Sequence, residues 1–503
     1  MSDGPATHPA PPAQHHLRRL VSDSAIYGLG GIASQALGIL LVPIYARQLG
    51  VANYGVLAVV NTTLSLTTMV VTLALPQAFF RSYLKEARTQ ADRQLVLEAS
   101  WGLRLVLSFG FAVLFTALAV PLTALIFGSQ ERLSLLLLIG PIVFFDTINL
   151  VPLSLLRAER RAGAYAALAF FRAIFGTLLI LLFVVVLDRG VLGVLIGSGV
   201  SAACAAGIGV AILARTASAR PVIDRGLWRY MLAFSLPLVP ASVAAWTLSL
   251  SDRYIIGAVQ GFQAVGIYAA GYTIGLVMNA LVIQPFGLAW GAAYWEFARE
   301  ANAPRIISRA MTLFIAVACI PALGLSLFGT DAMRLLLSPG FEPGRYVIPF
   351  SAFGYLCYGI YSVAATGINV ASQTRWLPFI VAGAALANLV INLVGVPAFG
   401  YIAAAYSTLF SYGLLALLTG LVAQRYYPVP WDYARILATL GLALGLTAVG
   451  ILGPDTFVWR LLSFGAFPVA VLLTGIVSRS DVARLTAWIA RRAGRSAGGQ
   501  AAT

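Results

Sequence analysis

The sequence predicts an all-α polytopic membrane protein of about fourteen spans, arranged as two parallel six-helix lobes with two further helices at the C-terminal end. Three observations carry that prediction: an apolar composition, an internal repeat and an alternation of basic and neutral connections. The 503 residues are 60% hydrophobic and 10% charged, with mean hydropathy +0.88, whereas soluble domains carry about 25% charged residues. The 48 Gly and 24 Pro are scattered through apolar runs, which suits bent, closely packed helices better than the alternating strands of a barrel. The stretch L-G-V-A-N-Y-G-V-L-A, Leu49 to Ala58, returns as Q-G-F-Q-A-V-G-I-Y-A, Gln260 to Ala269, placing Gly50 and Gly55 opposite Gly261 and Gly266. Weaker echoes follow in the same order: Phe127-Gly128-Ser129 with Phe328-Gly329-Thr330, and Val191 to Val194 with Ala398 to Tyr401. Together they argue for a duplicated unit of roughly 200 residues, room for about six membrane helices. An even number of spans makes both copies face the same way, so any substrate site is expected at the interface between the lobes.

Residues 1–16, rich in Pro and Ala without an apolar period, read as a disordered cytoplasmic tail. Arg18 and Arg19 precede an apolar run over 25–46. It exceeds the roughly 7 to 15 residues of a signal-peptide core and reads as a retained first span. The first lobe occupies 17–214, with later spans at 53–80, 99–120, 133–156, 164–187 and 190–214. A basic cytoplasmic linker, 215–229, leads to the second lobe over 230–425, with spans at 230–259, 263–295, 306–328, 346–372, 377–396 and 400–424. Two final helices fill 434–478, and a basic cytoplasmic tail covers 479–503. In that tail Val482, Leu485, Trp488 and Ile489 share one helical face opposite Arg484, Arg491 and Arg492, a pattern suited to lying along an anionic leaflet.

Basic residues cluster in alternate connections: Arg81, Lys85, Arg88 and Arg93; Arg157, Arg160 and Arg161; Arg215, Arg220, Arg225 and Arg229; Arg299, Arg305 and Arg309; Arg375; Arg425 and Arg435. The intervening connections hold Arg132, Arg189, Arg334 with Arg345, and Arg460. This asymmetry places both termini in the cytoplasm and the chain in the cytoplasmic (inner) membrane. It also absorbs the net charge of +15 without invoking nucleic acid. His8, His15 and His16 all precede the first span, while Cys204, Cys319 and Cys357 stand singly in apolar runs. No catalytic residue, metal site or disulfide framework is therefore expected. Gly28, Gly30 and Ala33 imitate a nucleotide fingerprint, but no strand precedes them, so no cofactor is expected.

The hairpin P-I-Y-A-R-Q-L-G-V-A-N-Y-G, Pro43 to Gly55, resembles the polysaccharide flippases of the multidrug/oligosaccharidyl-lipid/polysaccharide exporter (MOP) superfamily. S-D-R-Y-I-I-G, Ser251 to Gly257, and A-V-G-I-Y-A-A-G-Y, Ala264 to Tyr272, are similar in the second copy, and the likeness spans most of 22–425. The resemblance implies a MATE-like, V-shaped transporter working by alternating access. It implies as substrate an undecaprenyl-pyrophosphate-linked oligosaccharide, destined for O-antigen, capsule or exopolysaccharide, with membrane lipids, a polymerase and glycosyltransferases as neighbours. These motifs mark the superfamily more sharply than the cargo, so a cation-coupled multidrug antiporter and a lipid II flippase stay as alternatives. A membrane polymerase or glycosyltransferase is the alternative of another class, and the short loops and the lack of histidine in the body weigh against it.

Ionisable groups inside spans face a cavity or a partner. Here they are Arg47, Arg104, Asp146, Arg172, Asp252 and Arg253, and four cations against two anions suit an anionic pyrophosphate, which guanidinium binds bidentately. Arg253 is the leading candidate, about 10 Å inside its span at 1.5 Å per residue, with snorkelling as the rival reading. Asp252 is not expected to pair with it, since adjacent helical side chains diverge, and is assigned to coupling or to an ion pair across a helix contact. Arg172 lies at a depth similar to Asp146, so substrate binding and a structural ion pair stand level. Arg104, one turn inside, binds substrate or snorkels, and Arg47 is a gate or an outer-face anchor. Tyr355, Tyr358 and Tyr361 form a stripe that would contact sugars, against the plainer reading of helix packing. The orientation is testable with single cysteines. Those at Arg88 and Arg220 should resist an impermeant thiol reagent in intact cells while one at Gly340 labels, and the reverse pattern overturns the assignment.

Overall fold

Lipid offers no hydrogen bonds, so a spanning backbone must satisfy itself within helices and repair every interruption locally. A computed structural model describes residues 13–216 and 220–475, and every regular element among them is helical. The amphipathic stretch 482–492 lies outside the described residues. Among the described residues eleven helical stretches are long and apolar enough to cross a membrane, and Phe457–Leu473 is a shorter apolar helix. Two of the eleven, Leu41–Glu86 and Arg225–Phe297, continue through the glycine hairpins and each contain residues of two expected spans.

The described chain falls into two units, divided between Val243 and Ala244. In the first, α1 (Ala13–Thr72) already includes 13–16, part of the stretch expected to be disordered. It bends at Gly50 (φ 68°, ψ 175°) and ends before Leu73 and Ala74, both at positive φ. Then come α2 (Leu75–Arg81), α3 (Gln90–Ala117), α4 (Ala119–Phe127), α5 (Leu133–Ile148), α6 (Leu150–Ala158), α7 (Ala162–Leu181), α8 (Gly190–Thr216) and α9 (Arg225–Ser235). Thr89 and Asp92 form a reciprocal capping box at the start of α3. Phe79, Trp101, Leu155, Leu213 and Met231 share one core cluster. The stretch over α7 is the most hydropathic of the eleven and among the least buried, as a lipid-facing helix requires.

The contact boundary lies beyond the expected linker 215–229 and the expected lobe start at 230, because α9 is fastened to the first unit. Trp228 Nε1 donates to Ala99 O (2.8 Å), Val222 N to Glu98 O (3.2 Å) and the Tyr230 hydroxyl to the Glu86 carboxylate. Gly102 permits this approach, since a Cβ there would stand 2.5 Å from Val222 O.

The division falls within α10 (Val239–Leu250). The second unit continues with α11 (Asp252–Met278), α12 (Gln284–Phe297), α13 (Ala303–Leu336), α14 (Ile348–Val370), α15 (Leu377–Phe399), α16 (Tyr401–Tyr426), α17 (Tyr433–Leu452) and α18 (Phe457–Leu473). α14 packs along α11 and α16. A Cβ on Gly275 would lie 1.8 Å from Ser351 Oγ, so α11 and α14 meet there only because that position is bare. Arg460 pins α18 to α13, donating to Asp331 (2.9 Å).

The repeat is visible in backbone geometry. Gly261 bends α11 at φ 79°, ψ 176°, nearly the values of Gly50. The residue before each bend touches a second positive-φ glycine: Leu49 approaches Gly190, and Gln260 packs on Gly400 while accepting from Tyr401 N (2.7 Å). The structural counterpart of Gly400 is thus Gly190, not the Gly193 that the sequence echo aligned. Gly128 ends α4 in the left-handed conformation whereas Gly329 lies inside helical α13, so that echo pairs unlike positions.

At Gly261 the φ, ψ pair lies where side chains essentially do not go, although nothing within 4 Å would obstruct a Cβ. Gly261→Ala and Gly261→Asn are therefore both expected to destabilise the purified protein by about 1–3 kcal/mol, read as a lower melting temperature. An unchanged melting temperature for either contradicts the assigned backbone.

Candidate functional site

The S-D-R-Y motif sits at a joint. α10 ends at Leu250, Ser251 turns, and α11 restarts at Asp252. At that restart the Arg253 arm folds back, so that Nη1 donates to Asp252 Oδ1 (2.9 Å) and Ser249 O (3.2 Å). Adjacent residues do pair here, contrary to expectation, because the arginine stem is long enough to return over one turn. Asp252 Oδ2 accepts from the Tyr268 hydroxyl across the hairpin, so its partner there is a neutral hydroxyl while its ion pair is with Arg253. Both charges are buried, Asp252 at 2% and Arg253 at 7% exposure, so Arg253 does not snorkel.

Tyrosines enclose this ion pair. The guanidinium lies 4.7 Å from the Tyr272 ring centre and 5.8 Å from that of Tyr268, within cation–π range. Tyr272 and Tyr355 share a hydroxyl–hydroxyl hydrogen bond (2.9 Å) and edge-to-face rings, and the Tyr412 hydroxyl bonds Ser249 Oγ (3.1 Å). Tyr355, Tyr358 and Tyr361 do come together, with Tyr412, around a cavity of about 220 Å³. Sequence reasoning missed Tyr268, Tyr272, Tyr412 and Ser249. A signal for the first two was present: they stand four apart in A-V-G-I-Y-A-A-G-Y, hence on one helical face.

The first unit holds the second ion pair. Arg172 grips Asp146 through Nε and Nη2 (3.2 and 3.1 Å), and its Nη1 donates to Ser201 Oγ. Gly176 leaves the space, as a Cβ there would sit 3.2 Å from Nη1. The guanidinium borders an open cavity of about 260 Å³ with Leu41 and Thr177.

Arg104 has another duty. At 2% exposure it donates to Val71 O (3.0 Å) and Thr72 O (3.3 Å), the last carbonyls of α1 before the left-handed Leu73 and Ala74. It caps a helix end buried in the protein, a role that neither the snorkelling nor the substrate reading contains. Arg47 lies exposed beside the Gly50 bend. The apparent surplus of intramembrane cations therefore contracts: Arg253 and Arg172 each carry their own carboxylate. Among the described residues no group of three or more His, Cys, Asp or Glu is placed to hold a metal.

Residues 20–290 match the family model described as polysaccharide biosynthesis protein. No curated protein sequence matches the chain. Among solved structures, the lipid II flippase MurJ in an inward closed conformation aligns with TM-score 0.70 at 14% identity, covering 88% of this chain and 98% of its own. An inward-facing multidrug resistance MATE family transporter of the MOP superfamily aligns with TM-score 0.62 at 14% identity, covering 78% and 94%. A point mutant of the Vibrio cholerae MATE transporter VcmN gives TM-score 0.51 at 17% identity over 81% and 96%. At such identities the likeness shows the fold, and the solved relatives are transporters and flippases rather than enzymes.

The Asp146–Arg172 geometry predicts energetic coupling. Asp146→Ala and Arg172→Ala should each destabilise the protein, while the double variant loses less than their sum by about 0.5–3 kcal/mol, measured as a double-mutant cycle in detergent unfolding. Simple additivity contradicts the pairing.

Proposed function

The chain belongs to the polysaccharide biosynthesis protein family, and from that premise we propose that it is a flippase carrying an undecaprenyl-pyrophosphate-linked oligosaccharide across the cytoplasmic membrane. In this reading the two copies of the repeat work by alternating access, with both termini in the cytoplasm. The cargo serves O-antigen (lipopolysaccharide), capsule or exopolysaccharide assembly, taken from glycosyltransferases and delivered to a polymerase.

The observation that carries this reading is Arg253, a guanidinium packed under tyrosine rings with its hydrogen bonds directed to Asp252 and Ser249. Guanidinium matches phosphate as it matches carboxylate. An arriving pyrophosphate exchanges with Asp252 for Arg253, and the Tyr268 hydroxyl retains the released carboxylate. The exchange leaves Asp252 with that hydrogen bond and no cation, so the carboxylate competes to recover Arg253 and the cargo is held reversibly.

The multidrug reading fits less well. Asp146 and Asp252 are each held by an arginine, so neither stands open to a cationic drug or coupling cation. A lipid II flippase shares the polyprenyl pyrophosphate, and the fold likeness to MurJ accommodates it. Export of polysaccharide separates the two.

Arg253→Ala should abolish surface polysaccharide in a flippase-deficient strain at unchanged membrane protein level. Arg253→Lys should restore only part, because a point charge lacks the planar fork. Near-normal export by the alanine variant removes Arg253 from the site.

A further inference from the structure

We propose that the cavity bounded by Tyr358, Tyr361, Tyr412 and Asn279 seats one uncharged pyranose ring, the sugar nearest the pyrophosphate. This deepens the flippase reading and rests on it. Four elements enclose the space: α10, the π-helical turn Asn279–Ile283, α14 and α16, with Val381 of α15 beside them. Its volume of about 220 Å³ equals roughly seven waters, room for a single hexose and not for a repeat unit.

The walls have the character that sugars select. A pyranose offers apolar C–H faces and a rim of hydroxyls, and aromatic rings with polar tips meet both. Tyr358 stands 5.5 Å from Tyr361 and 5.6 Å from Tyr412, ring centre to ring centre, the former pair at 33° and the latter edge to face. Tyr358 is 37% exposed despite its position in a span. Asn279 also lines the cavity, and its amide side chain can both donate to and accept from sugar hydroxyls.

No charged side chain is among the lining residues. A uronate carboxylate entering the cavity would have no cation to meet it. The cavity thus selects a neutral ring. It also lies next to the ion pair, since Tyr355 lines it and hydrogen-bonds Tyr272, whose ring covers Arg253. Tyr412 ties the other side to Ser249, whose carbonyl receives Arg253 Nη1. Sugar and phosphate sites therefore share walls.

The test reconstitutes the full chain in liposomes and follows transbilayer movement of polyprenyl-pyrophosphoryl-glucose, polyprenyl-pyrophosphoryl-glucuronate and unglycosylated polyprenyl pyrophosphate. Wild type should move the glucose lipid about tenfold faster than the glucuronate lipid, because a carboxylate in the cavity meets no cation. Asn279→Leu and Tyr361→Ala should slow the glucose lipid to the glucuronate rate without slowing the unglycosylated lipid. Tyr361→Phe, which keeps the ring, should retain part of the preference, and its melting temperature controls for folding. Equal wild-type rates for the two glycolipids, or an unchanged glucose rate in both Asn279→Leu and Tyr361→Ala, overturn the sugar site and leave the flippase reading standing. Failure of wild type to move any of the three above protein-free liposomes overturns the flippase reading and this inference with it.

Discussion

A guanidinium taken out of water must find a carboxylate or carbonyls within its own reach, and that requirement organises both units. Arg253 folds back on Asp252 and Ser249, Arg172 crosses to Asp146, Arg460 reaches Asp331, and Arg104 takes the terminal carbonyls of α1. Each contact also fixes backbone. Arg104 secures the place where α1 turns into α2, Arg460 ties α18 to α13, and Arg253 braces the joint between α10 and α11. Charges that a hydropathy profile reads as anomalies are the fasteners of the helix packing.

Glycine supplies the complementary device. At Gly50 and Gly261 a residue without Cβ lets a long apolar run double back with few residues spent outside a helix. The second glycines, Gly190 and Gly400, receive the residues just before those bends. Close approach at Gly275 and Gly102 then sets how near α14 comes to α11 and how the segment before α9 lies on α3. This helps explain why 48 glycines are retained in a chain whose helices would otherwise favour alanine.

Much of this was legible in the sequence. The helical membrane class followed from composition, and the two hairpins followed from paired glycines, because a backbone conformation that only glycine adopts leaves a direct trace. The third echo, by contrast, was misaligned: Gly193 and Gly190 both read as small residues, and only φ separates them. The ionisable residues were found, but their partners were not. Periodicity reports which residues share a face of a continuous helix, whereas Asp252–Arg253 depends on a restart after Ser251 and Arg104 on a break at Leu73 and Ala74. Neither break carries a glycine or proline at the turning residue itself. The attachment of α9 was hidden for a related reason, since it rests on Trp228 and Tyr230 reaching groups more than a hundred residues away.

The function joins these features: a neutralised ion pair, enclosed by tyrosines and beside an uncharged cavity, inside a fold used by flippases and transporters. What distinguishes a binding site from a brace is whether Asp252 competes with the cargo for Arg253. The most direct measurement is equilibrium binding of a short-chain polyprenyl-pyrophosphoryl-glucose to purified Asp252→Asn protein, compared with wild type at matched melting temperature. Release of Arg253 from its carboxylate should tighten binding about tenfold, the effect of some 1.4 kcal/mol. Unchanged or weaker binding in the folded variant would mean that the pair is a brace alone, and would contradict the exchange on which the account rests.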